Sequence, residues 1–252
     1  MPGRHTSLRS WDASSYDGLA LPHWRWGQGV LAGLALRGDE RVAELGAGTG
    51  RDTEHLLARL ERGHVVAVDG SAAMLDRLRS RLAGAGPDRL TVQHTDLASP
   101  WRIAPRVDAV FSVATLHWIR DHERLFTSIA ASMNPGALLG AEWGGRGNLA
   151  RVDAALADLG LPPVSGSCNF ATAAETGRRL ESAGFSDVEV VAVPDGVTMA
   201  PGDLATFLAT VVLPPVLDGG APAERAPIVE AVAARLPDQA LDFVRLQARA
   251  RR

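Results

Sequence analysis

Between Arg41 and Val193 short apolar runs alternate with apolar stripes at helical spacing. That alternation predicts an α/β fold, a doubly wound and mostly parallel sheet whose crossover helices cover both faces. Residues 41–46, 64–69, 90–94, 108–113, 136–142 and 187–194 read as strands. Residues 241–251 alternate apolar and polar positions as an antiparallel edge strand would, which brings the expected sheet to seven strands. Leu56, Leu57 and Leu60 share one helical face, as do Leu125, Ile129 and Met133, and both stripes belong to the core. Pro87, Pro100, Pro105 and Pro135 fall in connections, where a missing N–H costs least.

Two stretches stand outside this frame. Residues 1–40 precede the sheet and hold Trp11, Tyr16, Trp24 and Trp26, an aromatic arm that packs on the core or closes over a site. Residues 195–238 separate the last two strands and are too long for a plain connection. They read as two helices, 202–217 and 223–236, around Pro214-Pro215 and Gly219-Gly220. The expected organisation is an arm (1–40), a ligand-binding α/β core (41–194), a helical cap (195–238) and a last edge strand (239–252).

Composition then narrows the chemistry. A chain of 252 residues, 46% hydrophobic, can bury a full core. All 26 basic residues are arginine, so no P-loop lysine, Schiff-base lysine or lysine base is available. The net charge of -3 is spread without a basic stripe, and neither nucleic acid nor an anionic membrane is expected as a partner. Cys168 stands alone, which excludes an intramolecular disulfide and a thiolate zinc cluster and fits a reducing compartment. The first residues lack the apolar core of a signal peptide and no later run reaches the length of a membrane span, so a cytoplasmic location is expected. The seven histidines form no helical ligand pair, and no metal is expected.

The most specific signal is Glu44-Leu45-Gly46-Ala47-Gly48-Thr49-Gly50, a strand end followed by a glycine turn and then a helix. Such a turn presents backbone N–H groups to a ligand at the C-terminal edge of the sheet. Arg51 stands where a dinucleotide fingerprint beginning at Gly46 needs its last glycine, which argues against NAD or FAD. Glu44 would repel a pyrophosphate but accept hydrogen bonds from an amino-acid ammonium. Asp69, at the end of the next strand, suits the two hydroxyls of a ribose. S-adenosylmethionine carries both groups and no phosphate.

These residues resemble the glycine motif and acidic position of class I S-adenosylmethionine-dependent methyltransferases. The segment Asp69-Gly70-Ser71-Ala72-Ala73-Met74-Leu75 looks like the stretch after the second strand in that family, which implies that Asp69 and Gly70 meet the ribose and Met74 lies against the adenine. Thr95-Asp96-Leu97 is similar to the segment that meets the adenine amino group; Asp96 also reads as a helix N-cap. The run Val110–Trp118 resembles the motif after the fourth strand in the trans-aconitate and malonyl-carrier-protein O-methyltransferase branch, placing Val113 beside the cofactor. By the same resemblance Tyr16, Ala47, Gly48 and Gly50 contribute to the cofactor site.

Methyl transfer is an in-line displacement, so the protein chiefly aligns the acceptor and excludes water. His117 follows the fourth strand and is the candidate base; it also reads as pocket wall. Tyr16, Trp26, Trp118 and Trp143 are candidate substrate-side aromatics, and Arg146 in a glycine-rich loop is a candidate clamp for an acceptor carboxylate. The expected reaction is methyl transfer to a small molecule, O-methylation of a carboxylate or hydroxyl ahead of C-methylation, with S-adenosylhomocysteine as product. The alternative is a protein of the same fold that uses the cofactor without transfer, as in a cyclisation. A monomer or homodimer is expected.

Overall fold

Arg41–Leu45 is buried along nearly its whole length, as a strand covered on both faces must be, and forms β1 in the interior of the sheet. The computed structural model describes residues 12–19, 22–200, 202–217 and 222–252. Around β1 lie β2 (His64–Asp69), β3 (Leu90–His94), β4 (Val107–Val113), β5 (Met133–Gly144), β6 (Ser186–Thr198) and β7 (Ala240–Arg251). The order is β3-β2-β1-β4-β5-β7-β6, and β7 runs antiparallel to both of its neighbours. The order reverses between β1 and β4, and the C-terminal ends of these strands flank the crevice in which such sheets bind ligands.

Two short helices, α1 (Ala13–Asp17) and α2 (His23–Gly33), precede β1. Helices α3 (Arg51–Arg59) and α4 (Ala72–Arg81) follow β1 and β2, while α5 (His122–Ser132), α6 (Ala150–Asp158) and α7 (Ala173–Ser182) lie between β4 and β6. One face of the sheet packs on α2, α3 and α6 through residues such as Val30, Leu56 and Leu156. The other packs on α5 and α7 through Phe126, Ile129 and Leu180. Between β6 and β7 come α8 (Asp203–Phe207), a π-helical turn (Leu208–Val212), α9 (Pro214–Leu217) and α10 (Pro222–Ala234). Leu208, Val212 and Val232 are buried in the same core as α2.

Four sequence expectations change. β7 is not the edge strand: it is inserted between β5 and β6, and β6 forms the edge. Alternation reports that a strand has one drier face, and it carries no information on which neighbours it pairs with. β6 runs on to Thr198 because it pairs with β7 throughout, so Asp195 belongs to the sheet and the helical connection begins after Thr198. Met133 leaves the stripe of Leu125 and Ile129: α5 stops at Ser132, and Met133 pairs with Val107 at the start of β5. The Asn134-Pro135 step disfavours helix there, and it places Pro135 inside β5 rather than in a connection. Trp11 and the Gly219-Gly220 pair lie outside the described residues.

Candidate functional site

The glycine turn begins where β1 ends. Gly46, Gly48 and Gly50 all have positive φ, 79°, 55° and 86°, in a region where a Cβ is strained. Their surroundings differ. A Cβ on Gly46 would lie 1.9 Å from Thr115 Oγ1, and one on Gly50 would lie 2.8 Å from Leu78 Cγ, so these two let β4 and α4 close in. At Gly48 a Cβ would meet nothing within 4 Å, because the backbone there faces a cavity of about 590 Å³. Gly48 N–H donates to Asp69 Oδ2 at 2.9 Å, and Ser71 N–H donates to Asp69 Oδ1 at 2.8 Å. Both carboxylate oxygens are thus oriented, each with a lone pair left for a ligand.

Three carboxyl groups gather under this turn. Glu44 is buried and accepts a hydrogen bond from Thr53 Oγ1 at 2.5 Å. Burial pushes its carboxyl well above the usual range, and the neighbouring charge of Asp52 adds to the rise. Burial likewise raises Asp52 from 3.8 to about 7, and raises Asp69 against the pull of its backbone N–H donors. Arg51 stands near Asp52 but is engaged by the N-terminal arm, where it donates to Leu19 O at 3.0 Å and pairs with Asp17 at 3.4 Å. Arg81 also pairs with Asp17, at 2.7 Å, and Thr49 Oγ1 donates to Asp17 at 2.8 Å. These contacts hold α1 over the turn, so that Tyr16 lines the cavity with its hydroxyl hydrogen-bonded to His23 Nδ1 at 2.9 Å. Burial raises the Tyr16 phenol and holds His23 at about 3, which keeps both neutral.

The cavity continues past Thr115 to a second wall built by α2, β7 and the turn after β4. His117 is buried on it, and its Nδ1 accepts from Gly144 N–H at 3.4 Å. With Nδ1 accepting, the neutral ring carries its proton on Nε2. Burial depresses its pKa well below the ordinary value, and the nearby Arg245 charge depresses it further. Arg245 faces Gly144 in the β5–β7 register. Its side chain is 3% exposed, its Nε pairs with Glu142 at 3.4 Å, and its guanidinium lies 3.8 Å over the Trp26 ring. Trp26 in turn donates from Nε1 to Asp195 at 2.6 Å. Phe170, Phe207 and Phe243 supply much of the remaining wall.

Part of the chain is similar to known proteins. Residues 42–136 match the family described as a methyltransferase domain. A trans-aconitate 2-methyltransferase of Methylobacterium nodulans is 33% identical over 135 residues, which covers 54% of this chain and 50% of that protein. One of Escherichia coli is 31% identical over 135 residues, covering 54% and 51%. The likeness to methyltransferases spans residues 42–136 in the family match and 135 residues in these relatives.

The chain spans about half the length of the curated relatives it matches. Among solved structures, a Haemonchus contortus phosphoethanolamine N-methyltransferase 2, in complex with phosphomonomethylethanolamine and S-adenosylhomocysteine, superposes at TM-score 0.62 with 18% identity, covering 91% of this chain and 52% of that one. The [4+2]-cyclase SpnF superposes at TM-score 0.59 with 18% identity, covering 90% and 80%. Likeness at that identity is likeness of fold, and activity has to be argued from the site.

Tyr16, Gly46, Gly48, Asp69, Gly70, Met74, Asp96 and Leu97 all line the same cavity, together with Trp26, His117 and Trp118. Asp96 is also the cap of its own turn, accepting from Ala98 N–H at 2.9 Å and Ser99 Oγ at 2.8 Å. Glu44, Ala47, Gly50, Thr95 and Val113 stand behind the wall: Ala47 packs on Leu75 and Leu78, Thr95 N–H donates to Asp69 O, and Ala114 and Thr115 take the place expected of Val113. Trp143 is wholly buried on the other face of the sheet, packed with Phe126 and His122. Strand period two explains this, since Glu142 and Gly144 point to the cavity side and Trp143 between them cannot. Arg146 is brought to Glu175, at 3.5 Å and largely exposed, and lines a separate shallow cavity. The residues that sequence reasoning missed are Arg245, Asn148, Phe170 and His23. Arg245 did leave a signal, because it continues the inward Leu241, Phe243 face of β7 as a charge.

Proposed function

We propose that this protein binds S-adenosylmethionine at the glycine turn and transfers its methyl group to a small-molecule acceptor, with oxygen of a carboxylate or hydroxyl favoured over carbon. The observation that carries the reading is the cluster of Glu44, Asp52 and Asp69 around a turn whose Gly48 leaves room for a ligand. Such a cluster repels a pyrophosphate and suits a ligand with an ammonium and a sulfonium. The name of the relatives, trans-aconitate 2-methyltransferase, supports a carboxylate acceptor.

The residues divide the work. Asp69 holds the ribose hydroxyls, Glu44 with Thr53 supports the ammonium from behind the turn through water, and Met74, Asp96 and Leu97 form the adenine side. Bound there, S-adenosylmethionine supplies a methyl on a cationic sulfur, and the acceptor's lone pair takes it as the C–S electron pair returns to sulfur. The arm and the aromatic wall exclude water from that region. His117 serves as a hydrogen-bond donor through Nε2 rather than as a base, since its one free lone pair faces Gly144 N–H. A carboxylate acceptor is already ionised and asks for no base. His117→Gln, which keeps a donor, is expected to retain turnover within about tenfold. A thousandfold loss in single-turnover assays, with cofactor affinity intact, would return His117 to the role of base.

The deciding experiment is calorimetry with S-adenosylmethionine followed by a search for S-adenosylhomocysteine across carboxylate, hydroxyl and carbon acceptors. Asp69→Ala should weaken cofactor binding at least about tenfold, the loss of one or two charge-assisted hydrogen bonds. Unchanged affinity sinks the ribose assignment, and cofactor binding without product across the panel favours the non-transferring reading.

Affinity should also depend on pH. Asp52 holds its proton up to about 7, and a bound cation favours the carboxylate, so binding releases protons at neutral pH. Affinity is therefore expected to fall as pH drops below that value, by at most about tenfold per unit for each proton released. For the unliganded protein the sign is opposite. A carboxyl whose folded pKa lies at about 7 rather than 3.8 adds stability below the lower value and loses it as pH rises through the higher one. Titrations in buffers of different ionisation enthalpy read the protons directly, and zero release between pH 6 and 7 counts against the cluster (roughly one proton expected).

A further inference from the structure

Three side chains converge on Gly144, each with one donor nitrogen for which the described residues supply no acceptor. Arg245 faces Gly144 across the β5–β7 register, with Nε on Glu142 and Nη2 on Glu142 O at 3.3 Å, and among the described residues its Nη1 has no hydrogen-bond partner. His117, fixed by Gly144 N–H, carries its proton on Nε2, which has no acceptor among the described residues. Asn148 accepts from Val244 N–H through Oδ1 at 3.0 Å, which settles its amide orientation and leaves Nδ2 without an acceptor among the described residues. A Cβ on Gly144 would lie 2.9 Å from Asn148 Nδ2 and 2.7 Å from Phe170, so the absence of a side chain there is what lets these groups gather. All three line the cavity, and all three are buried.

Donor N–H groups on a cavity wall without a protein acceptor are placed to hydrogen-bond an anionic ligand. Around them the wall is apolar: Trp26, Phe170, Phe207, Val212 and Phe243. The other lining cation, Arg120, is exposed and donates to Gly166 O at 2.7 Å. We propose that Arg245, His117 and Asn148 form a cradle for one carboxylate of the methyl acceptor, and that the acceptor is a largely apolar monocarboxylic acid. Resting on the methyl-transfer reading, this sets its acceptor apart from the tricarboxylate in the relatives' name, because further carboxylates would be desolvated against phenyl rings. Glu142 occupies Nε and fixes the fork, while the planar guanidinium stays stacked on Trp26.

The test uses the full chain saturated with S-adenosylhomocysteine and titrated with 3-phenylpropanoate, 3-phenylpropanamide and propane-1,2,3-tricarboxylate. The acid is expected to bind at least about tenfold more tightly than the amide or the tricarboxylate. Asn148→Asp keeps the Oδ1 acceptor for Val244 and replaces the donor by an anion. It should weaken the acid at least about tenfold while leaving the amide and S-adenosylhomocysteine unchanged. Equal affinity for acid and amide, a preference for the tricarboxylate, or an Asn148→Asp protein that binds the acid as before overturns the cradle. Failure of S-adenosylhomocysteine itself to bind overturns the methyl-transfer reading instead, so the two failures are distinct.

Discussion

Gly46→Ala is expected to abolish measurable cofactor binding, a loss of at least about a hundredfold or 2.7 kcal/mol, and to lower the melting temperature. The added carbon meets Thr115 at 1.9 Å for Oγ1 and 2.4 Å for Cγ2, and the backbone φ of 79° is itself unfavourable for alanine. The conformational part alone costs about 1–2 kcal/mol. Relieving the clash moves either the turn or the start of the segment after β4, and both line the cavity. Gly48→Ala is the informative partner. Its φ of 55° carries a similar strain, but the Cβ enters open space on the cavity side. That protein should fold, with a melting temperature a few degrees lower, and should bind S-adenosylmethionine at least about tenfold more weakly because the methyl group stands where a ligand approaches the backbone. Thermal melts and calorimetry on both variants separate the roles. Normal affinity in Gly48→Ala would mean that the ligand does not approach the turn.

The second large effect is on stability. Glu142 and Arg245 are each 3% exposed and 3.4 Å apart. Burial raises Glu142 and lowers Arg245 to about 10 despite their mutual attraction, so desolvation outweighs the pairing for both. Neither charge would be held there without the other. Glu142→Leu leaves the guanidinium buried beside Trp26 with Asp195 as the nearby acid, and is expected to cost about 3–5 kcal/mol. For a chain of this size that is a drop of roughly 10 °C in melting temperature. Replacing both partners with apolar residues should recover most of it, since the penalty belongs to the unpaired charge. A single variant that melts within about 2 °C of the parent would show that water entering from the cavity already solvates Arg245.

Local signals made much of this protein legible. The buried run Val42-Ala43-Glu44-Leu45, the glycines after it and the run Val65–Val68 before Asp69 each declare themselves within a few residues. Backbone sterics force the turn, and the connection from β1 to β2 sets the two acids at adjacent strand ends. The cofactor half of the cavity follows from such neighbours. The acceptor half does not, because Trp26, His117, Asn148, Phe207 and Arg245 come from five segments with no common spacing. Trp143 shows how fine the distinction is: one residue of strand phase separates the cavity face from the core behind it.

The sequence by itself determined the alternation of strands and helices and the chemistry of the glycine turn, since period, chirality and the freedom of glycine act over short range. Only the tertiary structure decided that β7 lies inside the sheet, that Arg245 therefore faces Gly144, and that its charge meets Glu142, His117 and Trp26. Strand pairing is chosen by burial summed over the whole sheet, and no single segment contains that sum.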